Sequence, residues 1–371
     1  MAQSPGHYSR DQAHTSAASA THIYTREAKA QPLTAPAVKI TAAFGLRECP
    51  KVVELLAHED LDVRQQALLV LCEVFGRPDR IATALRAGAV PDLLRLASDP
   101  DETCRVRASL ALSKLAEDAN GKEALLSGGA CAACVVCLRD ACAAVRANGY
   151  TTLVVLSRSV RGVDAVCEAD AVISLLCDKA KEETDEDVRG LALKLLYQVL
   201  GQRSGEALRE AQRCGAVNVS TELLGSSVAS VREGAAATLC KLTFNEAGKQ
   251  FAIKADCVRA LCGLLGDKYW RVRSNAAAAL MSIAIDDAGK NATIEAGGVP
   301  GLIKLLRDRE RLVKISAMKA IATVSAHPAA REMFMASKPC VDALTAVAAD
   351  ADDEVLSRNA RIAKEVVEWK P

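Results

Sequence analysis

Cys131, Cys134 and Cys137, in CAACVVC with Cys142 beyond, have the CxxCxxC spacing of iron–sulfur ligands. Thiolates so spaced hold iron only where the backbone lets them converge on one point; along a helix they line a face and pack as small apolar side chains. Of the five histidines, His7, His14 and His22 fall in the first 35 residues, seven or eight apart with no cysteine among them, and read as solvated, which leaves His58 and His327. The chain has no phosphate-binding glycine loop, no GxSxG and no HExxH. So few histidines offer few general bases near neutrality. The acidic runs KEETDED (Lys181 to Asp187) and ADADDE (Ala349 to Glu354) lack the spacing and turn glycine of a calcium loop and read as solvated turns. The expectation is a protein that is not an enzyme and takes no cofactor, metal or small-molecule substrate.

What the cysteines do depends on the element carrying them, and that element repeats. In RVRSNAAAALMSIAIDDAGKNATIEAGGVPGLIKLLRD, from residue 271 to 308, Val272, Ala276, Leu280 and Ile283 share one face at helical spacing. The same phase is anchored at Val63, Cys104, Val145, Val188, Val231, Val272, Val313 and Val355, successive anchors lying 41, 41, 43, 43, 41, 41 and 42 residues apart. Position plus one is basic in seven copies, from Arg64 to Lys314. Plus four is small in the same seven, from Ala67 to Ala317, and plus eight is Leu or Ile. A period in the low forties is that of a helical solenoid of about eight repeats.

Each copy divides into a short first helix, a second helix and a longer third. Gly88, Gly129, Gly215 and Gly297 stand where a left-handed residue closes the first helix. Asp99, Asp140, Ser226, Asp267, Asp308 and Asp350, five residues before most anchors, are placed to accept the free N–H groups opening the third. The small plus-four residues are expected to let adjacent third helices approach closely. The basic plus-one residues are expected to pair with carbonyls or acidic turn residues of their own or the next repeat, since arginine suits fixed, forked pairing. Counted back from Asp140 and Asp308, Cys131, Cys134 and Cys137 fall on Val299, Leu302 and Leu305, so the cysteines occupy core positions.

Composition agrees with an all-α chain. Half of its 371 residues are apolar and only 3% aromatic, a balance suited to close-packed helices rich in Ala and Leu. A formal charge of +1 gives no global field toward nucleic acid or an anionic membrane. No apolar run reaches the roughly 20 residues of a membrane span, and MAQSPGHYSR lacks the layout of a secretory signal. Fourteen cysteines in a helical framework point to reduced, buried thiols in an intracellular protein. Residues 1–35 read as a flexible arm, and residues 36–371 as one repeat domain whose last copy is incomplete and serves as a cap. The segment from Val38 to Arg47 is expected to shield the first repeat.

Three helices per copy, a small plus-four residue and a GG-apolar-Pro second-helix start resemble armadillo repeats; two-helix HEAT repeats are the near alternative. The resemblance implies an armadillo-repeat right-handed superhelical solenoid whose third helices line a concave groove. Candidate partner-binding positions there are plus three (Gln66, Arg107, Asn148, Asn275), plus six (Lys194, Lys319) and plus ten (Lys114, Gln198, Lys241, Ser282, Thr323). The nuclear import receptors carry Trp at plus six and Asn at plus ten in several repeats to clamp a basic peptide. This chain has neither, and the mixed groove argues against a catenin-like hold on an acidic peptide.

At its two ends, AAFGLRECPKVVELLAHEDLDVRQQALLVLCEV (Ala42 to Val74) and NARIAKEVVEWKP (Asn359 to Pro371), the sequence resembles the armadillo-repeat radial spoke proteins of motile cilia and flagella. That resemblance implies a structural subunit of the axonemal radial spoke in the cytoplasm and cytoskeleton, binding other spoke and axonemal proteins. The alternative is a cytosolic armadillo adaptor or regulatory subunit holding a peptide in the groove. Trp369, beside Val366 and Val367, is expected to seal the last repeat.

Overall fold

The computed structural model describes residues 47–168, 171–202, 205–350 and 352–370. The arm at 1–35 and nearly all of the proposed cap before Arg47 lie outside these. Among the described residues there are 23 helices and no strand. They form a pair, Glu48–Leu55 and Leu61–Val74, followed by seven successive triplets of two short helices and one long one. All eight anchors fall in the long third helices: Leu61–Val74, Glu102–Glu117, Ala143–Leu156, Glu186–Gln202, Ala229–Leu242, Trp270–Ile283, Arg311–Val324 and Glu354–Glu368. The chain is a helical solenoid. It divides into two compact units, one ending at Gly128 and one running from Gly129.

Helix ends follow from local chemistry. Gly88, Gly129, Gly215 and Gly297 adopt φ of 85°, 74°, 75° and 71°, which costs nothing without a Cβ. Two repeats place other residues there, Ala171 and Asp256, both at φ 54°. Asp60, Asp101 and Asp353 cap third helices, accepting from the N–H groups of Asp62, Cys104 and Leu356 at 2.9, 2.8 and 2.9 Å. The residues five before the anchor act one step earlier than the sequence implied. Asp99, Asp140, Asp267 and Asp308 accept from the N–H groups of Asp101, Cys142, Tyr269 and Glu310, residues that precede their helices. They fix the turn leading into the helix rather than its first orphan donors.

Seven anchors are buried, from Val63 to Val313. The eighth is not: Val355 is 42% exposed and Leu356 is buried in its place, so the last copy runs one residue later. The final triplet, Pro328–Ala336, Lys338–Ala348 and Glu354–Glu368, has all three helices. Trp369 does not seal it. The indole is 54% exposed with the Arg331 guanidinium 4.8 Å from its ring, while Ala360, Ala363 and Val367 fill the core.

The small plus-four residues are fully buried, but Gly149 shows a different reason for their size. A Cβ added there would lie 3.0 Å from the Cβ of Cys137 and 3.2 Å from the carbonyl of Cys134, on the second helix of the same repeat. In this repeat, the small residue admits that helix. Adjacent third helices meet elsewhere, as where a Cβ on Gly234 would come within 2.7 Å of Leu193.

Candidate functional site

Seven plus-one residues begin the third helices, and five of them make the same pair of bonds. Each sends one Nη back over its own helix start to two carbonyls of the turn before it. Arg64 reaches those of His58 and Glu59, Arg105 those of Asp99 and Pro100, and Arg146 those of Asp140 and Ala141, at 2.8 to 3.0 Å. Arg232 reaches those of Ser226 and Ser227, and Arg273 those of Asp267 and Lys268. Arg189 donates to the Glu183 carbonyl and pairs with Glu186.

In Arg64, Arg146, Arg232 and Arg273 the rest of the guanidinium crosses to the next repeat. Arg232 holds both oxygens of Asp267 at 2.8 and 3.2 Å, and Arg273 both oxygens of Asp308 at 2.7 and 2.9 Å. Arg146 forks Glu183 at 2.8 and 2.5 Å, and the Arg64 Nε lies 3.6 Å from Asp99. In the last copies the lysine at plus one gives way to Arg311, which forks Asp353. Arg64, Arg146, Arg232 and Arg273 therefore pair as the sequence reading expected, each tying its repeat to the next.

Glu183 occupies the minus-five position within KEETDED, yet it is buried and not part of a solvated turn. Its spacing, five before Val188, was the available signal; the neighbouring charges hid it. Burial pushes the Glu183 carboxyl up, but hydrogen bonds from Arg146 and from the Asp185 and Thr184 N–H groups outweigh it and hold the pKa below the usual value. In Asp267 and Asp308 burial likewise raises the pKa, and Arg232 and Arg273 with the turn N–H groups bring it lower.

The candidate groove residues are largely engaged between repeats. Arg107 donates to the carbonyl of Gln65 at 2.6 Å, Asn275 to that of Glu233 at 3.3 Å, and Lys114 to that of Cys72 at 2.7 Å. Ser282 is buried and exchanges bonds with Thr243 at 3.0 and 3.1 Å, so its hydroxyl does not face solvent. The Lys241 ammonium lies 5.3 Å from the centre of the Tyr197 ring, and Thr323 donates to its own helix at Lys319. Gln66, Asn148 and Gln198 are half-buried, leaving Lys194 and Lys319 exposed.

Cys131, Cys134 and Cys137 are buried on the helix Ala130–Cys137 at 3%, 1% and 2% exposure. Burial raises the Cys131 thiol to about 11 and Cys134 well above its ordinary value, so both are held as neutral packing groups. No group of three or more His, Cys, Asp or Glu among the described residues is placed to hold a metal ion. His58 lies in an exposed turn, its Nδ1 accepting from the Asp60 N–H at 3.0 Å. No described helix is long and apolar enough to cross a membrane.

Residues 257–285, a second and third helix, match the HEAT repeat family. A stretch of 174 residues is 29% identical to radial spoke protein 14 of Chlamydomonas reinhardtii, covering 46% of this chain and 45% of that protein. The match thus spans under half the relative's length. Among solved structures, an engineered protein superposes with a TM-score of 0.76 at 24% identity, over 87% of this chain and 79% of that one. A designed armadillo repeat protein aligns at a TM-score of 0.42 and 20% identity, over 86% and 100%. The repeated three-helix unit, its arginine–carboxylate ladder and this sequence likeness together describe a helical-repeat protein similar to radial spoke protein 14.

Proposed function

We propose that the chain is a non-catalytic structural subunit of the axonemal radial spoke, holding other spoke proteins through its solenoid surface in the motile cilium or flagellum. The observation that carries the reading is the likeness to radial spoke protein 14 across 174 residues. The ladder supports it physically. A forked, partly buried ion pair and two carbonyl bonds at successive repeats resist change in the stacking angle, so partners bound to different repeats of one unit keep a fixed spacing. Exposed Lys194 and Lys319 are the candidate groove residues with side chains free to reach a partner.

Extraction of demembranated axonemes tests this. A spoke subunit stays with detergent-stripped axonemes and leaves with the other spoke proteins at high salt. Recovery mainly in the detergent-soluble fraction contradicts the assignment and favours a cytosolic adaptor.

A further inference from the structure

The edge where second helices turn into third helices carries a cleft the groove reading did not use. It is an open cavity of about 750 Å³ lined among others by Tyr269, Trp270, Lys304, Arg307, Arg309 and Pro339. Tyr269 is 50% exposed, with the Lys268 ammonium 5.8 Å from its ring, and Arg271 lies 5.2 Å from the Trp270 ring.

The charge at this cleft is one-sided. Its two aspartates, Asp267 and Asp308, are already neutralised by Arg232 and Arg273. That leaves Lys268, Lys304, Arg307 and Arg309 exposed against one exposed carboxylate, Glu310. Lys304, Arg307 and Arg309 make no ion pair with any described residue. In a chain of net charge +1 such a local excess is a feature of this place and not of the whole surface.

The geometry points to a docking site for an acidic, aromatic-containing peptide segment of a protein partner. Carboxylates would meet the unpaired guanidinium groups, which suit forked recognition, and an aromatic side chain would lie against Tyr269. The ladder beneath holds both turns in place, so the site is formed before the partner arrives. This rests on the chain being a protein-binding scaffold, and deepens that reading by naming what it binds.

The test uses the purified full chain and fluorescence anisotropy with a labelled peptide of alternating Glu and Phe. The expected result is saturable, salt-sensitive binding that falls about tenfold or more in a Lys304→Glu, Arg307→Glu, Arg309→Glu variant. Binding survives in a control variant, Arg158→Glu with Lys254→Glu, which reverses exposed cations outside the cleft. Unchanged melting temperatures establish that both variants fold, and Tyr269→Ala, which keeps every charge, weakens binding independently. No binding by the unmodified chain, equal loss in both charge variants, or tighter binding of an oligothymidine of matched charge overturns the proposal. None of these outcomes bears on axonemal retention, so the two readings fail separately.

Discussion

Arg273 closes a two-bond fork on Asp308 of the following repeat while another of its nitrogens holds the Asp267 carbonyl at 2.9 Å. Asp267 itself receives the fork of Arg232, so one aspartate joins two arginines and three successive repeats share one network. Arg273→Met therefore leaves the largely buried Asp308 carboxylate without its partner. The expected loss is about 2–3 kcal/mol, below the range for a fully buried pair because the fork remains partly solvated. Urea unfolding measures it, and a cycle with Asp308→Asn should show coupling of about 1 kcal/mol or more. Coupling near zero would mean the fork does not fix the stacking.

The ladder was legible in part. One basic residue per copy, in phase with the core, implied pairing, and in five copies the bonds run as expected because carbonyls five and six residues back lie within reach of the plus-one arginine. The small plus-four residues were visible too, but sequence spacing does not say which helix faces them. At Gly149, against Cys137, it is the second helix of the same repeat. Groove positions were the least legible. A plus-ten residue such as Ser282 lies within reach of the preceding repeat's last carbonyls, and that bond is invisible from one helix alone. The last anchor was read one residue early because Val355 and Leu356 are both apolar. A capping aspartate three residues before the anchor, as at Asp60, Asp101 and Asp185, would have selected Leu356 through Asp353.

Acid should loosen the stack. Asp267 and Asp308 titrate below the ordinary aspartate value of 3.8 when folded, so their stabilisation is complete above that value and is lost as pH falls through the lowered folded pKa. Asp353 follows, held at about 2 by the hydrogen bond from Arg311. Melting temperature should be flat above about pH 5 and drop steeply below about pH 4. Asp308→Asn should show a lower plateau and a shallower acid drop; an unchanged slope would remove the fork from the account.

Thiol chemistry separates packing cysteines from ligands. Cys214 is exposed, whereas Cys131, Cys134 and Cys137 are buried, and burial keeps the Cys131 and Cys134 thiols protonated at neutral pH. A thiol reagent followed by peptide mass spectrometry should label Cys214 in the native protein. The three clustered cysteines should react only on unfolding. Rapid native labelling of Cys134 would contradict the packing.

Ala171 holds a left-handed conformation that other repeats assign to glycine. Ala171→Gly should relieve the Cβ contact and stabilise the protein by about 0.5–1 kcal/mol, after the greater freedom glycine gives the unfolded chain. Asp256→Gly should gain less, because aspartate tolerates this conformation and the change removes the Arg259 contact at 3.1 Å. Differential scanning calorimetry on the two variants provides the comparison.

Lysine-directed cross-linking within intact, demembranated axonemes, read by mass spectrometry, tests the scaffold assignment most directly. The account predicts links from Lys194 and Lys319 to other radial spoke proteins. Links confined to soluble cytosolic proteins, or the chain's absence from axonemes, would contradict it.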